Sequence, residues 1–201
     1  MVRIYLVTDR HAIRDLPGAV AAALSALPIG AAAVQVREKD LPDADLVALA
    51  RTLLPLCRSA KAPLLVNGNV EVAKALPADG VHLPAGGPSI AAARSALGPG
   101  ALVGQSCHSK EEVARAAEQG ADFAVFGPVW DTPGKKAQGM TALHEAAKAT
   151  ALPVFAIGGV TPARAKRAVN AGAYGIACIR GILGAENPAG AAADMWKAIS
   201  G

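Results

Sequence analysis

The chain has 201 residues, of which 52% are hydrophobic and 18% charged, with a formal net charge of +4. These values exclude the disordered and fibrous classes and predict one globular domain, residues 1–201, with a core of small branched residues, because aromatics supply only 3%. The charge is modest and scattered, which argues against nucleic acid as a partner and favours a small anionic ligand.

Eight short apolar runs follow one another along the chain and predict eight strands: "RIYLVT", "AAVQVR", "PLLVN", "GVHLP", "ALVGQSC", "DFAVFGP", "PVFAIGG" and "YGIACI". Ala-rich segments with apolar residues at helical spacing lie between them. Apolar strands that alternate with helices predict an α/β fold, and eight such units predict a single (β/α)8 TIM barrel of minimal length. An open doubly wound sheet is the alternative, but "LVTDRHAIRD" after the first strand contains no GxGxxG.

The end of the second predicted strand carries polar side chains at alternating positions. In "VQVREKD", Gln35, Arg37 and Lys39 are predicted to lean to one face and to converge at the C-terminal end of the barrel, where active sites lie in this fold. Two cations and an amide there favour an anionic ligand. The alternative is a solvated strand end at which the cations pair with Glu38 or Asp40.

Glycines follow the seventh and eighth predicted strands, in "AIGGVTPAR" and "IACIRGI". Backbone N–H groups at the start of a following helix bind phosphate at this place in the fold. We therefore predict a phosphate site made by Gly158, Gly159 and Gly181, with Arg180 as a counter-charge. The alternative is that these glycines only form tight turns.

A histidine ends the fifth predicted strand. His108 precedes Ser109, which is predicted to cap a helix together with Glu112. Because an imidazole exchanges protons near neutral pH, His108 is a candidate acid–base group, although a lone histidine is often structural. The other histidines are predicted to fill the barrel (His82) or to lie at the surface (His11 and His144).

No metal signature is present, since the histidines lack HExxH spacing and the strand ends lack clustered carboxylates. Asp9 is an isolated candidate. The cysteines, Cys57, Cys107 and Cys178, show no CxxC spacing and are predicted to be reduced core thiols. A Cys107–His108 dyad is not expected, because adjacent strand residues point to opposite faces.

No apolar run reaches the roughly 20 residues that cross a bilayer. The opening "MVRIYLVTDR" is interrupted by charge too soon for a signal peptide. We therefore expect a cytoplasmic protein without a membrane partner. Its oligomeric state stays open between a monomer and a homodimer.

Seven segments in one order resemble the thiamine phosphate synthase and thiazole tautomerase superfamily: "YLVTD", "VQVREKD", "LLVNGNVEVA", "ADGVHLP", "GADFAVFGPVWDTPGKK", "PVFAIGGVTP" and "GAYGIACI". The resemblance spans nearly the whole chain. It implies a (β/α)8 barrel, which agrees with the pattern of strands and helices.

The synthase branch couples a pyrimidine pyrophosphate to a thiazole phosphate. Its pattern has "ND" after the third strand and "HLGQxD" after the fourth, and the two aspartates bind the Mg²⁺ that holds the pyrophosphate. Gly68 and Gly87 stand at those places in this chain. The synthase "TxTK" is kept only in part, as Thr132, Gly134 and Lys135.

The tautomerase branch is more similar at three places: Asn67–Gly68, Leu83–Pro84 and His108–Ser109. This similarity implies a metal-independent thiazole tautomerase without a cofactor, an isomerase that aromatises a phosphorylated thiazole carboxylate with His108 as general acid and base. Its substrate would contact Gln35, Arg37, Lys39, Asn67, Thr132 and Lys135, and its phosphate Gly158, Gly159, Arg180 and Gly181. Arg180 replaces the serine that is usual in both branches.

Two alternatives remain beside the tautomerase. A Mg²⁺-dependent synthase would use Asn67, Arg37 and Lys39 as ligands for the pyrimidine substrate, and the retained "REK" favours it. A non-catalytic relative would only bind a phosphorylated ligand.

Overall fold

Eight parallel strands and eight helices alternate along the computed structural model, which describes residues 1–201. Neighbouring strands pair in sequence order, and β8 pairs back with β1, so the sheet closes into a barrel. The (β/α)8 barrel predicted from the alternation of strands and helices is confirmed.

The strands are short, four to six residues each: β1 (Ile4–Val7), β2 (Ala32–Val36), β3 (Leu64–Asn67), β4 (Gly80–Leu83), β5 (Leu102–Cys107), β6 (Phe123–Phe126), β7 (Val154–Ile157) and β8 (Gly175–Cys178). The helices are α1 (Leu16–Ser25), α2 (Asp43–Ser59), α3 (Val70–Ala75), α4 (Ile90–Leu97), α5 (Lys110–Glu118), α6 (Gly139–Lys148), α7 (Pro162–Asn170) and α8 (Pro188–Ser200). No helix combines the length and the apolar character needed to cross a bilayer.

Alternate strand residues face two separate cores. In β1, Ile4 and Leu6 belong to a 49-residue core between the barrel and the helices, whereas Tyr5 and Val7 belong to an eight-residue core inside the barrel. This alternation follows from the two-residue period of a strand. Because both faces of each strand are covered, the strands read as continuous apolar runs.

The barrel interior holds an aromatic cluster, which differs from the predicted core of small branched residues. The rings of Tyr5 and Phe123 meet edge to face with centroids 5.2 Å apart, and Phe155 packs against Phe123 at 5.7 Å. A Cβ on Gly104 would lie 2.3 Å from the ring of Phe123. The few aromatic residues are therefore concentrated where one wide cavity has to be filled.

Side-chain caps begin six of the helices and fix their starts beside the C-terminal ends of the strands: Asp15, Asn69, Ser89, Ser109, Thr161 and Asn187. Each cap accepts a hydrogen bond from a first-turn N–H, which would otherwise lack a partner. The helix N-termini therefore surround the end of the barrel at which the polar strand-end residues lie.

The cysteines are free and buried, as predicted: Cys57, Cys107 and Cys178. Burial raises the pKa of each thiol to about 12. All three thiols therefore stay protonated at neutral pH, and neither a disulfide nor a nucleophilic cysteine follows from them.

Candidate functional site

A cavity of about 430 Å³ opens at the C-terminal end of the barrel. Nearly all of the predicted site residues line it: Gln35, Arg37, Asn67, His108, Thr132, Lys135, Gly158, Gly159, Arg180 and Gly181. They come from separate strand ends, and the closed barrel brings them together. The residues that follow the strands therefore form one cavity, as expected for this fold.

Lys39 is the exception among the predicted residues. Strand β2 ends at Val36, so the alternation that would direct Lys39 into the cavity has stopped, and Lys39 lies exposed on the following loop. The charge of Arg37, partial burial and the charge of Lys135 lower the pKa of Lys39. Lys39 therefore lies at the rim, within electrostatic reach of two lining cations.

The buried carboxylate of Glu38 joins the loops after β1 and β2. Thr8 Oγ1 donates to Glu38 Oε1 at 2.6 Å, and the Arg10 backbone N–H donates to Oε2 at 3.1 Å. The Arg37 N–H in turn donates to Thr8 Oγ1 at 2.8 Å. Both Glu38 oxygens are thus engaged away from Arg37 and Lys39, and neither of these cations pairs with Glu38.

Asp40 is also held by partners of its own. Its two oxygens accept from the Arg10 guanidinium at 2.6 and 2.8 Å, and His11 Nε2 lies 2.9 Å from Oδ2. The hydrogen bond from Arg10 keeps the pKa of the Asp40 carboxyl well below its ordinary value. The alternative in which Glu38 or Asp40 neutralises Arg37 and Lys39 is therefore wrong.

Four cations around the cavity have no carboxylate partner. None of the salt bridges in the structure includes Arg37, Lys39, Lys135 or Arg180. Backbone hydrogen bonds between Thr132 and Lys135, at 2.9 and 3.1 Å, hold the Lys135 turn at the cavity wall. Like charges gathered without counter-charges favour a bound anion.

An amide pair crosses from β2 to β3 in the cavity wall. Gln35 Nε2 donates to Asn67 Oδ1 at 2.9 Å, and Gln35 is 3% exposed. The remaining oxygen of Gln35 and the amide nitrogen of Asn67 have no protein partner. The pair therefore presents one acceptor and one donor, which suits the edge of a nitrogen heterocycle.

His82 and Ser106 meet at the base of the cavity. His82 Nε2 lies 2.9 Å from Ser106 Oγ, while Nδ1 is buried without a partner. Burial, helped by the charge of Arg37, lowers the pKa of His82 to about 3, so this imidazole is neutral at physiological pH. His82 fills the barrel as predicted. Ser106 was missed, although it lies near the end of β5, two residues before His108.

His108 is exposed at the mouth of the cavity, and its ring is oriented by the backbone. Nδ1 lies 2.5 Å from Gly127 O, and because a carbonyl only accepts, Nδ1 carries a proton and Nε2 stays free. Ser109 Oγ accepts from the Glu112 N–H at 3.2 Å, as predicted. The Glu112 carboxylate accepts from the His108 N–H at 2.6 Å, one residue before the cap.

The loop after β7 is held against the loop after β6. Gly158 and Gly159 have φ of +97° and +64°, and a Cβ on Gly158 would lie 2.5 Å from Pro128 Cβ. Arg164 Nη1 donates to Gly159 O at 2.7 Å, and its guanidinium lies 5.4 Å from the centre of the Trp130 ring. The contact between Arg164 and Trp130 fixes the orientation of the Gly159 peptide and was not predicted.

Replacing Gly158 by alanine should lower the free energy of unfolding by about 3 kcal/mol, since a left-handed φ and a clash with Pro128 add together. Gly134→Ala is the matched control, because Gly134 also has a positive φ of +76° but no atom within 4 Å of the added Cβ. That variant should lose about 1 kcal/mol. Urea denaturation compares the two, and equal losses would contradict the close packing of the loop.

The residues present do not fit a magnesium ion. Gly68 and Gly87 occupy the places after β3 and β4 where the resemblance implies metal-binding acids, and no three His, Cys, Asp or Glu side chains come together anywhere in the structure. Asp131, which lines the cavity, accepts from the Ala137 N–H at 2.8 Å. Asp9 remains isolated from other metal-ligating side chains.

Comparison with known proteins gives consistent matches. The family model described as thiamine monophosphate synthase matches residues 4–182. A protein of Geobacter sulfurreducens, provisionally named a thiamine-phosphate synthase, is 44% identical and aligns over 92% of this chain and 88% of its own length. The thiamine-phosphate synthase of Roseiflexus castenholzii is 42% identical over 92% of this chain and 82% of its own.

A solved structure agrees with the sequence matches. The thiamine phosphate pyrophosphorylase of Pyrococcus furiosus superposes with a TM-score of 0.89 at 32% identity, over 98% of this chain and 95% of its own. The match extends over nearly the whole chain.

These names contradict the interpretation of the chain as a metal-independent thiazole tautomerase, and with it the prediction of an isomerase. Two of the places that favoured it, Asn67–Gly68 and the loop that begins at Leu83–Pro84, lack the synthase carboxylates at Gly68 and Gly87, and losing a carboxylate does not build a proton-transfer site. His108–Ser109 is explained by the start of α5, where Ser109 is the cap.

Proposed function

Because the chain belongs to the thiamine monophosphate synthase family, we propose that it is a thiamine-phosphate synthase, a transferase that couples hydroxymethylpyrimidine pyrophosphate to thiazole phosphate. The observation that carries this proposal is the set of unpaired cations around one cavity at the C-terminal end of the barrel. Both substrates are anionic, and the pyrimidine substrate releases its pyrophosphate group in the reaction.

The reaction exchanges one bond for another. The bond between the pyrimidine methylene carbon and the pyrophosphate oxygen breaks, and the oxygen keeps the electron pair. The thiazole nitrogen donates its lone pair to the methylene carbon and becomes positively charged. Charge therefore develops on the leaving oxygen, and cations fixed beside it lower the barrier.

The pyrimidine substrate is placed beside β2 and β3. The amide pair of Gln35 and Asn67 would contact the ring nitrogens and the amino group through its free acceptor and donor. Arg37, Lys135 and, from the rim, Lys39 would contact the pyrophosphate. The hydrogen bond from the Arg37 N–H to Thr8 Oγ1 fixes the backbone from which the Arg37 side chain extends.

The thiazole phosphate is placed at the ends of β7 and β8. Gly158, Gly159 and Gly181 would offer backbone N–H groups to its phosphate, and Arg180 would supply a charge-assisted hydrogen bond where a serine is usual. Thr132 lies in the same wall and would contact either phosphate group.

His108 stays a predicted site residue in this proposal, but coupling requires no proton shift at the thiazole ring. Its Nε2 has no protein partner and faces the mouth of the cavity. We therefore assign it to substrate binding and derive no acid–base step from it. A cytoplasmic location also belongs to this proposal.

The test is a coupling assay with the purified protein and both substrates, in which thiamine phosphate and released pyrophosphate are quantified. Equal amounts of the two products are expected, and omission of either substrate should abolish both. The assay is run in excess Mg²⁺ and, separately, in excess EDTA. Absence of product under both conditions would exclude the synthase.

A non-catalytic binding relative remains the second candidate, because no acids stand at Gly68 and Gly87 to assist the leaving group through a metal. That role predicts binding of thiazole phosphate, measured by calorimetry, with no product in the coupling assay.

A further inference from the structure

The acidic side chains after β2 and in the cavity wall accept hydrogen bonds from the protein itself. Glu38, Asp40 and Asp131 each accept hydrogen bonds from the protein, and the loop from Pro84 to Gly87 carries no acid. Asp131 is the one acid that lines the cavity, and its Oδ1 already accepts from the Ala137 N–H, so a divalent cation here would find no cluster of carboxylates to hold it. The donor set therefore disagrees with a resident metal site.

The cationic side chains that line the cavity have no carboxylate partner. Arg37, Lys135 and Arg180 line the cavity, and none of them forms a salt bridge within 4.0 Å. Lys39 adds a further charge at the rim, close enough for Arg37 and Lys135 to lower its pKa. A metal ion placed among these groups would be repelled, whereas a pyrophosphate would be attracted.

We infer that the protein neutralises the pyrophosphate group with its own side-chain cations, so that pyrophosphate binding and coupling proceed without a divalent metal ion. This inference rests on the proposed function, because the pyrophosphate enters with the pyrimidine substrate. It departs from the magnesium requirement that resemblance to the synthase branch implies. The physical reason is that an arginine fork and a lysine supply directed N–H donors as well as charge.

Inorganic pyrophosphate is the probe, titrated into the purified protein by calorimetry in excess EDTA and again in excess Mg²⁺. We expect binding in EDTA that Mg²⁺ does not strengthen, since complexed pyrophosphate carries less negative charge. Lys135→Ala should weaken binding in EDTA on the order of 10- to 100-fold, the loss expected for one charged hydrogen bond. Arg51→Ala, which removes the same charge from the exposed face of α2, should not change it.

The coupling assay in EDTA separates this inference from the proposed function. Coupling that proceeds in EDTA supports the inference. Coupling that EDTA abolishes and Mg²⁺ restores, or pyrophosphate binding that appears only with Mg²⁺, overturns it and leaves the synthase proposal intact. Metal-free pyrophosphate binding without coupling under either condition supports the binding part of the inference, but it overturns the coupling part together with the proposed function.

Discussion

Arg37→Ala is expected to lower kcat/KM for coupling by about 100- to 1000-fold, because it removes a fixed cation from the leaving group. Arg37 has no carboxylate partner in the structure, and its backbone is anchored to Thr8, so its guanidinium is free for substrate on a rigid base. Steady-state coupling rates measure the effect. An Arg37 variant within twofold of the wild type would contradict the assignment of the cations to the pyrophosphate.

Two further variants separate the effect of the Arg37 charge from the effect of its geometry and from the effect of net charge. Arg37→Lys keeps the charge but loses the planar fork, so it should recover only part of the lost rate. Arg51→Ala lowers the net charge by the same amount away from the cavity and should couple at the wild-type rate. Loss of rate in both alanine variants would point to the overall field of the protein instead of a local contact.

Acid should destabilise the protein through His82. Burial lowers the pKa of His82 to about 3 in the folded state, against an ordinary value of 6.5 in the unfolded chain. The unfolded state therefore binds the extra proton first, and the stability present above pH 6.5 is lost as the pH falls from 6.5 toward 3. The full loss is on the order of 5 kcal/mol.

Urea unfolding at a series of pH values from neutral down to mildly acidic measures this loss. His82→Gln keeps a hydrogen-bonding side chain toward Ser106 but cannot titrate, so its stability should change less with pH in this window, even if it is lower throughout. His144→Gln changes an exposed histidine on α6 and should follow the wild-type curve. Parallel curves for wild type and His82→Gln would identify another group as the source of the acid sensitivity.

The strands and the cavity were predictable from local pattern. Each apolar run is one strand long, and the residues just after the runs include lining residues such as Arg37, His108 and Gly158. The resemblance to the family added Asn67, Thr132 and Lys135. This succeeds because the fold places all eight strand ends at one rim. Lys39 does not line the cavity, because the two-residue alternation of a strand does not extend past the end of β2 at Val36.

Pairings between distant residues were not predictable. Glu38 meets Thr8, thirty positions away along the chain, and Tyr5 meets Phe123 and Phe155 across the barrel interior. The local spacing of apolar and polar residues gives no information about contacts between such distant positions. The tautomerase interpretation is wrong for a related reason: it rests on the missing carboxylates at Gly68 and Gly87, whereas the local pattern does not show that the cations of the same cavity are unpaired.

The pairing of β1 with β8 links completion of the fold to completion of the site. Seven of the eight strand pairings join consecutive βα units, but this one joins the two ends of the sequence, through Ile4 and Ile176. Its closure carries the largest loop entropy, so it is expected to form last. Because Arg180 follows β8 while Arg37 follows β2, the two sides of the cavity face each other only after this closure. Until β1 pairs with β8, the two sides of the cavity are not held opposite each other, so an anion that contacts both sides would stabilise only the closed barrel.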